Sequence, residues 1–117
     1  MGTKYITSDS ATYLKYIANL SQSGGIAPTA VILENTLGEI PTYSYSSAGN
    51  YNINFSVVSL DTSRTYIVIS PKVLTADGSS VFINGMSPST IEIITLDSTN
   101  TGADGILENT TIEIRVY

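Results

Sequence analysis

The chain has 117 residues, of which 42% are apolar and only 13% are charged, and its formal net charge is −5. This length is enough for one domain with a single core and too short for two. Cysteine and histidine are both absent, which excludes disulfides, cysteine nucleophiles, imidazole bases and the commonest zinc ligands. The five basic residues are scattered, so we expect no nucleic-acid partner.

The first ten residues, MGTKYITSDS, are polar and are typical of an arm that lies outside the main core. They lack the basic start and apolar stretch of a secretory signal. No apolar run in the chain approaches the roughly 20 residues that a membrane helix needs, so we expect no membrane partner. We therefore divide the chain into an N-terminal arm, residues 1–10, and one domain, residues 11–117. The pattern leaves open whether the arm pairs within its own domain or with another subunit.

The domain begins with ATYLKYIANL, residues 11–20, which fits either a helix or a strand. Strict alternation along the segment and its tyrosines favour a strand. SQSGG, residues 21–25, breaks the pattern as a loop, and Pro28 precedes residues 29–33, which we predict to be a short, largely buried strand.

The clearest alternation in the chain runs over residues 51–58, with Tyr51, Ile53, Phe55 and Val57 on one face. Together with residues 42–46 and a turn at residues 48–50 it predicts a hairpin with one face in the core.

The rest of the chain alternates between turns and short β-branched runs. We predict a turn at residues 61–64, a strand at 66–70 that lies at a sheet edge or ends at Pro71, a turn at 77–78, strands at 81–83 and 90–96, loops at 84–89 and 96–105, and a last strand at 110–117. About eight short, mainly antiparallel strands predict an all-β fold, a single β-sandwich of the jelly-roll or immunoglobulin-like type.

The best metal candidate is the polar loop with Asp97, Asn100, Asp104 and Glu108, because calcium takes several oxygen ligands. Threonines occupy the alternating positions that a calcium loop needs, so a plain Asx-type turn is the better explanation. No serine–lysine or carboxylate-pair motif is recognisable either. We therefore expect no enzymatic activity, no metal and no cofactor.

Tyr43, Tyr45 and Tyr51 cluster around the predicted hairpin, and the first two are candidates for a surface contact with a ligand such as a sugar. Tyrosine is also favoured in strands, where its ring packs in the core and its hydroxyl reaches the edge. The core role is the more common of the two.

One stretch occurs twice: ILENTLGEI at residues 32–40 returns as ILENTTIEI at residues 106–114, with only the sixth and seventh of nine positions changed. In each copy a carboxylate, an amide and a hydroxyl interrupt an apolar run, which is typical of a strand beside a tight turn. Residues 42–58 have no counterpart after the second copy, so this is not a duplicated domain. If Glu34 and Glu108 meet in space, we expect them to cap turns and not to perform chemistry.

Two longer stretches include these copies: SQSGGIAPTAVILENTLGEI at residues 21–40 and DGILENTTIEIRVY at residues 104–117. They resemble the two ends of a family of small virion proteins of tailed bacteriophages, including the crAss-like group. An alternating hairpin, here residues 51–58, and a short strand with tyrosine before valine or isoleucine, here residues 66–69, lie between these ends in the family. Most of residues 16–117 are covered.

The resemblance implies a structural role on the capsid exterior, as an auxiliary decoration protein or head fibre subunit, or in the tail. It implies capsid proteins and further copies of the chain, in a dimer or trimer, as partners. Residues 1–12 depart from the family pattern, and we expect this arm to contact capsid or subunit through Met1, Lys4, Tyr5 and Ile6. The alternative is a carbohydrate-binding or adhesive β-sandwich module that contacts a host-surface glycan.

Overall fold

A computed structural model describes residues 13–71 and 78–117. These residues form eight strands and no helix, so the all-β prediction is confirmed. The strands are β1 (Leu14–Ser21), β2 (Thr29–Asn35), β3 (Thr42–Ser47), β4 (Asn50–Asn54), β5 (Thr65–Ser70), β6 (Ser80–Ser87), β7 (Thr90–Leu96) and β8 (Thr110–Val116). No helix that could span a bilayer occurs in the described ranges. The predicted arm, residues 1–10, lies outside them.

The strands are arranged in two four-stranded sheets, and every pairing is antiparallel. The first sheet has the order β2-β1-β8-β5 and the second has the order β3-β4-β7-β6. In the first sheet β1 lies between β2 and β8, with Leu20 opposite both Ala30 and Thr110. The two sheets form a single β-sandwich.

One hydrophobic core lies between the sheets and is built by alternate residues of the central strands. Its fully buried large apolar side chains are Tyr16, Leu20, Tyr51, Ile53, Ile91, Ile93, Leu107, Ile112 and Ile114. Full burial of each isoleucine contributes roughly 1.5–3 kcal/mol relative to its exposure. The strands predicted at residues 90–96 and 110–117 are confirmed, as is a strand within residues 11–20.

β2 differs from its prediction, because it was expected to be largely buried. It runs to Asn35 and most of it is exposed: Val31 is 65% exposed and Leu33 is 58% exposed. β2 is the outermost strand of its sheet, and of its side chains Ala30 packs against the core. Within the described part of the chain, an apolar β-branched run therefore forms an edge strand with no strand paired on its outer side.

β4 is shorter than predicted, since it ends at Asn54 and not at residue 58. The next backbone amide, that of Phe55, donates to the carbonyl of Ser89, outside the strand pairing. The following amides, residues 56–58, donate to the Glu39 carboxylate. Phe55 is still buried, but Val57 is 75% exposed and does not continue the inward face.

β6 is longer than predicted, since residues 84–87 belong to the strand and not to a loop. The register shifts between Ile83 and Gly85, so Asn84 forms a bulge and pairing with β7 continues beyond it. The Asn84 amide donates to the Glu92 carboxylate at 2.8 Å. The prediction for Pro71 is confirmed, because it directly follows β5, an outermost strand.

Candidate functional site

The carboxylate of Asp104, in the loop before β8, accepts three hydrogen bonds from the second sheet. Its Oδ2 accepts a hydrogen bond from the Tyr45 hydroxyl at 2.8 Å. Its Oδ1 accepts from the Tyr51 hydroxyl at 2.7 Å and from the Gly49 amide at 3.0 Å. All three donors belong to β3, β4 or the turn between them, so Asp104 fastens the second sheet to the loop that enters β8.

Gln22, directly after β1, extends these contacts towards the first sheet. Its amide group donates to the carbonyls of Gly24 and Ile26 at 2.6 and 2.9 Å, while its oxygen accepts from the Gly105 amide at 2.8 Å. These bonds fix the amide orientation, and the same oxygen lies 2.8 Å from the Tyr51 hydroxyl. The single proton of that hydroxyl therefore lies between the Gln22 oxygen and a carboxylate.

The protonation states in this cluster follow from its contacts. Burial opposes the charge on Asp104, but hydrogen bonds from Gly49, Tyr51 and Tyr45 outweigh it, so the pKa of Asp104 lies below its ordinary value. Burial and the Asp104 carboxylate raise the pKa of Tyr51. At neutral pH the Asp104 carboxylate is therefore charged and the tyrosine hydroxyls that donate to it are neutral. This arrangement stabilises the contact between the second sheet and the loop before β8.

The two tyrosines predicted to contact a ligand, Tyr43 and Tyr45, both pack against the core. The hydroxyls of Tyr43 and Tyr16 form a 2.7 Å hydrogen bond, and burial raises the pKa of Tyr43. Tyr45 donates to Asp104. This placement is the core arrangement that the sequence analysis gave as the more common role, and ligand contact by the pair stays a prediction.

The predicted Asx-type turn in the loop after β7 is confirmed. Asp97 Oδ1 accepts from the Thr99 amide at 2.8 Å, the Thr99 hydroxyl at 2.6 Å and the Thr101 amide at 3.1 Å. Asp104 takes no part in this turn, because its carboxylate accepts hydrogen bonds from Tyr45 and Tyr51. Across residues 13–71 and 78–117, no group of three acidic, histidine or cysteine side chains is placed to hold a metal ion.

The two repeated glutamates lie towards opposite ends of β1. Glu34 is paired with Ile17, and its carboxylate lies 3.4 Å from the Lys15 ammonium. Glu108 is exposed in the loop before β8. Its neighbour Asn109 donates a hydrogen bond from the backbone amide to the hydroxyl of Ser21, at the other end of β1. The repeated stretch therefore brings no carboxylate pair together.

An open groove of about 440 Å³ lies at one end of the sandwich, between the loops that follow β1 and precede β8. Its lining includes the apolar side chains of Ile26 and Leu107, together with Glu108 and Asn109. Glu108 is its one charged side chain, and no hydrogen bond joins its carboxylate to the hydroxyls of the lining, those of Ser21, Ser23 and Thr29. The groove also reaches Thr29, the first residue of β2.

β2 itself presents the most conspicuous unpartnered surface of the described residues. Val31, Ile32 and Leu33, here called the apolar edge, are three consecutive exposed apolar side chains on β2. Residues 13–71 and 78–117 supply this strand with a neighbour on one side only. The pairing with β1 skips Leu33, which forms a bulge opposite Ile17. Exposed apolar edge strands are typical of interaction surfaces.

Three tyrosines and a guanidinium form a cluster on the outer face of the first sheet. The Arg115 guanidinium carbon lies 5.5 Å from the ring centre of Tyr13 and 5.6 Å from that of Tyr66. Arg115 also pairs with Glu113 at 2.7 Å, and Tyr117 packs on Tyr13. About half of the surface of Tyr66 and of Tyr117 is exposed.

The remaining predicted contacts, Met1, Lys4, Tyr5 and Ile6, lie outside the described residues. Neither the apolar edge nor the Asp104 cluster was identified as a site from the sequence. The apolar edge was visible as the run TAVIL, but this run was interpreted as a buried strand. Comparison with models of protein families, with curated proteins and with solved structures finds no match to this chain.

Proposed function

We propose that this protein is a non-enzymatic structural subunit of a tailed-bacteriophage virion, which decorates the capsid exterior as an auxiliary capsid or head fibre protein. The observation that carries the proposal is the apolar edge on β2, a surface suited to assembly. The resemblance of residues 21–40 and 104–117 to small phage virion proteins supports the choice of particle.

The chemistry of the described residues supports a structural role as well. The Asp104 carboxylate is occupied by hydrogen bonds that join the second sheet to the loop before β8. In the open groove no hydrogen bond joins the Glu108 carboxylate to a hydroxyl that it could activate. A decoration subunit needs a folded sandwich and a contact surface, and the apolar edge on β2 supports the second requirement.

The direct test is mass spectrometry of purified particles from the phage that encodes the chain. We expect mass spectrometry to detect the chain as a constituent of the particle. We also expect antibody labelling in electron micrographs to mark the capsid exterior. Particles that lack the chain would contradict the proposal.

A second experiment tests the predicted role of the arm. The chain without residues 1–10 should keep the spectroscopic signature of the folded sandwich and lose its binding to capsids that lack the subunit. Undiminished binding of this truncated chain would assign attachment to the sandwich itself.

A second candidate function, a carbohydrate-binding or adhesive module, is favoured by the exposed rings of Tyr66 and Tyr117. Glycan-array binding that is lost in Tyr66→Ala and retained in Tyr43→Phe would support sugar contact on the outer face of the first sheet. Loss in Tyr43→Phe alone would place it on the predicted hairpin.

A further inference from the structure

We propose that the partner of the apolar edge is a second copy of this chain, whose β2 pairs antiparallel with the first about a two-fold axis at Val31. The inference rests on the proposed function in one respect, that the protein is an assembling subunit. It goes further by naming the partner, the strand and the register.

The charge distribution favours a second copy over a charged partner. The chain carries a net charge of −5, so most of its surfaces repel a second copy. β2 carries one charge, Glu34, and the Lys15 ammonium 3.4 Å away compensates it. The apolar edge is therefore a place where two acidic copies approach without facing uncompensated charge. A basic partner would gain nothing there.

The residues of β2 are self-complementary in this register. A two-fold axis perpendicular to the sheet keeps side chains of paired residues on the same face, so Val31 lies opposite its own copy. Ala30 then faces Ile32, on either side of the axis. Each of these contacts joins two apolar side chains. The two copies of Glu34 lie about 20 Å apart along the strands, beyond the screening length at physiological salt.

The bulge sets the extent of this pairing. Residues 29–32 pair regularly with β1 and offer a regular outer edge, and the bulge at Leu33 interrupts it. A contact this short buries less than the roughly 800 Å² per partner of a standard interface. The dimer is therefore weak in dilute solution and is populated when many copies are held close together, as on a particle.

Because the chain has no cysteine, single cysteines test the register directly. In the proposed dimer the Cα atoms of two Val31→Cys residues lie about 4.5–5.5 Å apart, within the range that a disulfide spans. We expect mild oxidation to convert most Val31→Cys protein into linked dimers. The matched control is Val68→Cys on β5, an outermost strand at the opposite edge of the sheet, which should stay monomeric.

A mixing experiment checks the register itself. Ala30→Cys and Ile32→Cys should each stay monomeric when oxidised alone and cross-link when mixed. Cross-linking of Ile32→Cys alone, or of Val68→Cys as fast as Val31→Cys, would overturn the proposed axis.

Sedimentation equilibrium of the unmodified chain gives a second readout. We expect the mean mass to rise with concentration from that of one 12.4 kDa chain to that of two. Val31→Lys places like charges opposite each other and should weaken self-association by about tenfold or more, whereas Val68→Lys should not change it. A trimer, or a monomer at every concentration, would overturn the inference.

The two proposals fail separately. A chain that is monomeric in solution but present in purified particles would leave the virion role intact and assign the apolar edge to another capsid protein. A chain that dimerises through β2 but is absent from particles would leave the dimer intact and contradict the virion role.

Discussion

Residues 32–40 and 106–114 share seven of nine side chains, but the fold uses them in opposite ways. The first copy begins in β2 at the edge of the sheet, where Leu33 is 58% exposed. The second begins in the loop before β8, where Leu107 is 1% exposed, and continues into the central strand β8. The shared residues specify a local preference for extended structure and turns. The position of each copy relative to the other sheet determines whether its side chains are buried.

The shared asparagine also has two roles. Asn35 Oδ1 accepts from the Leu37 amide at 2.9 Å and its Nδ2 donates to the Glu39 carbonyl at 2.9 Å, so its side chain builds the turn. Asn109 adopts a φ of 46°, in the left-handed region, and contributes through its backbone, whose amide donates to Ser21.

The shared glutamate after each turn differs as well. The Glu39 carboxylate accepts from the amides of residues 56–58, and these hydrogen bonds, that of Val58 foremost, lower the pKa of Glu39. Glu113, its counterpart in β8, pairs with Arg115 on the outer face of the sheet. One copy therefore fastens a loop, while the other contributes to a surface ion pair.

The largest expected difference between the copies concerns their leucines. Leu107→Ala should lower the free energy of unfolding by about 2–5 kcal/mol, because it leaves a cavity in the core. Leu33→Ala, the matched control, should change it by no more than about 0.5 kcal/mol. Urea denaturation at low protein concentration measures both values. Equal losses would mean that the two leucines are buried to similar degrees.

A smaller effect is expected at Asp104, whose cluster holds the loop just before the second copy. Asp104→Asn should lower the free energy of unfolding at pH 7 by about 1–3 kcal/mol, because the hydroxyl donors and the Gly49 amide lose a charged acceptor. Tyr45→Phe removes one of these bonds and should lower it by about 0.5–1.5 kcal/mol.

The same carboxylate predicts a pH dependence. Since the folded pKa of Asp104 is lowered, its contribution is fully present above the unfolded value of about 3.9 and is lost as the pH falls through the folded value. Denaturation curves between pH 5 and pH 2 should therefore be less steeply pH-dependent for Asp104→Asn than for the unmodified chain. Parallel pH profiles would contradict the assignment.

The smallest expected difference concerns the asparagines. Asn35→Gly removes two side-chain hydrogen bonds and should destabilise the fold by about 1 kcal/mol. Asn109→Gly should change stability by a few tenths of a kcal/mol at most, because glycine adopts the positive φ without strain. Thermal denaturation of both variants decides the point, and a reversed order would show that the side chain of Asn109 matters more than its backbone.

The sequence predicts those strands whose one face lies in the core. Alternation in β4 and β8 is explicit because Tyr51 and Ile53, or Ile112 and Ile114, must all face inward. β2 was predicted to be buried, and this was wrong because exposure depends on whether the other sheet extends over a strand. That property depends on residues far away in the chain, and no local pattern records it.

The candidate sites were less predictable than the strands for the same reason. The cluster of Tyr43, Tyr45 and Tyr51 was visible in the sequence, but the acceptor of Tyr45 lies 59 positions further along the chain. Asp104 was considered only as a metal ligand in its own loop. Spacing along the chain cannot show that the Asp104 carboxylate bonds to tyrosines of the second sheet and takes no part in the Asp97 turn.

The bulge in β2 also limits aggregation of the chain at high concentration. The segment TAVIL, residues 29–33, is uncharged and rich in β-forming side chains, the composition from which cross-β fibrils grow when flat strands stack without end. Because the bulge at Leu33 bends the strand, the flat template ends after four regular residues. Two-fold pairing would consume each β2 once and leave no open edge there, so growth along this strand stops at a pair.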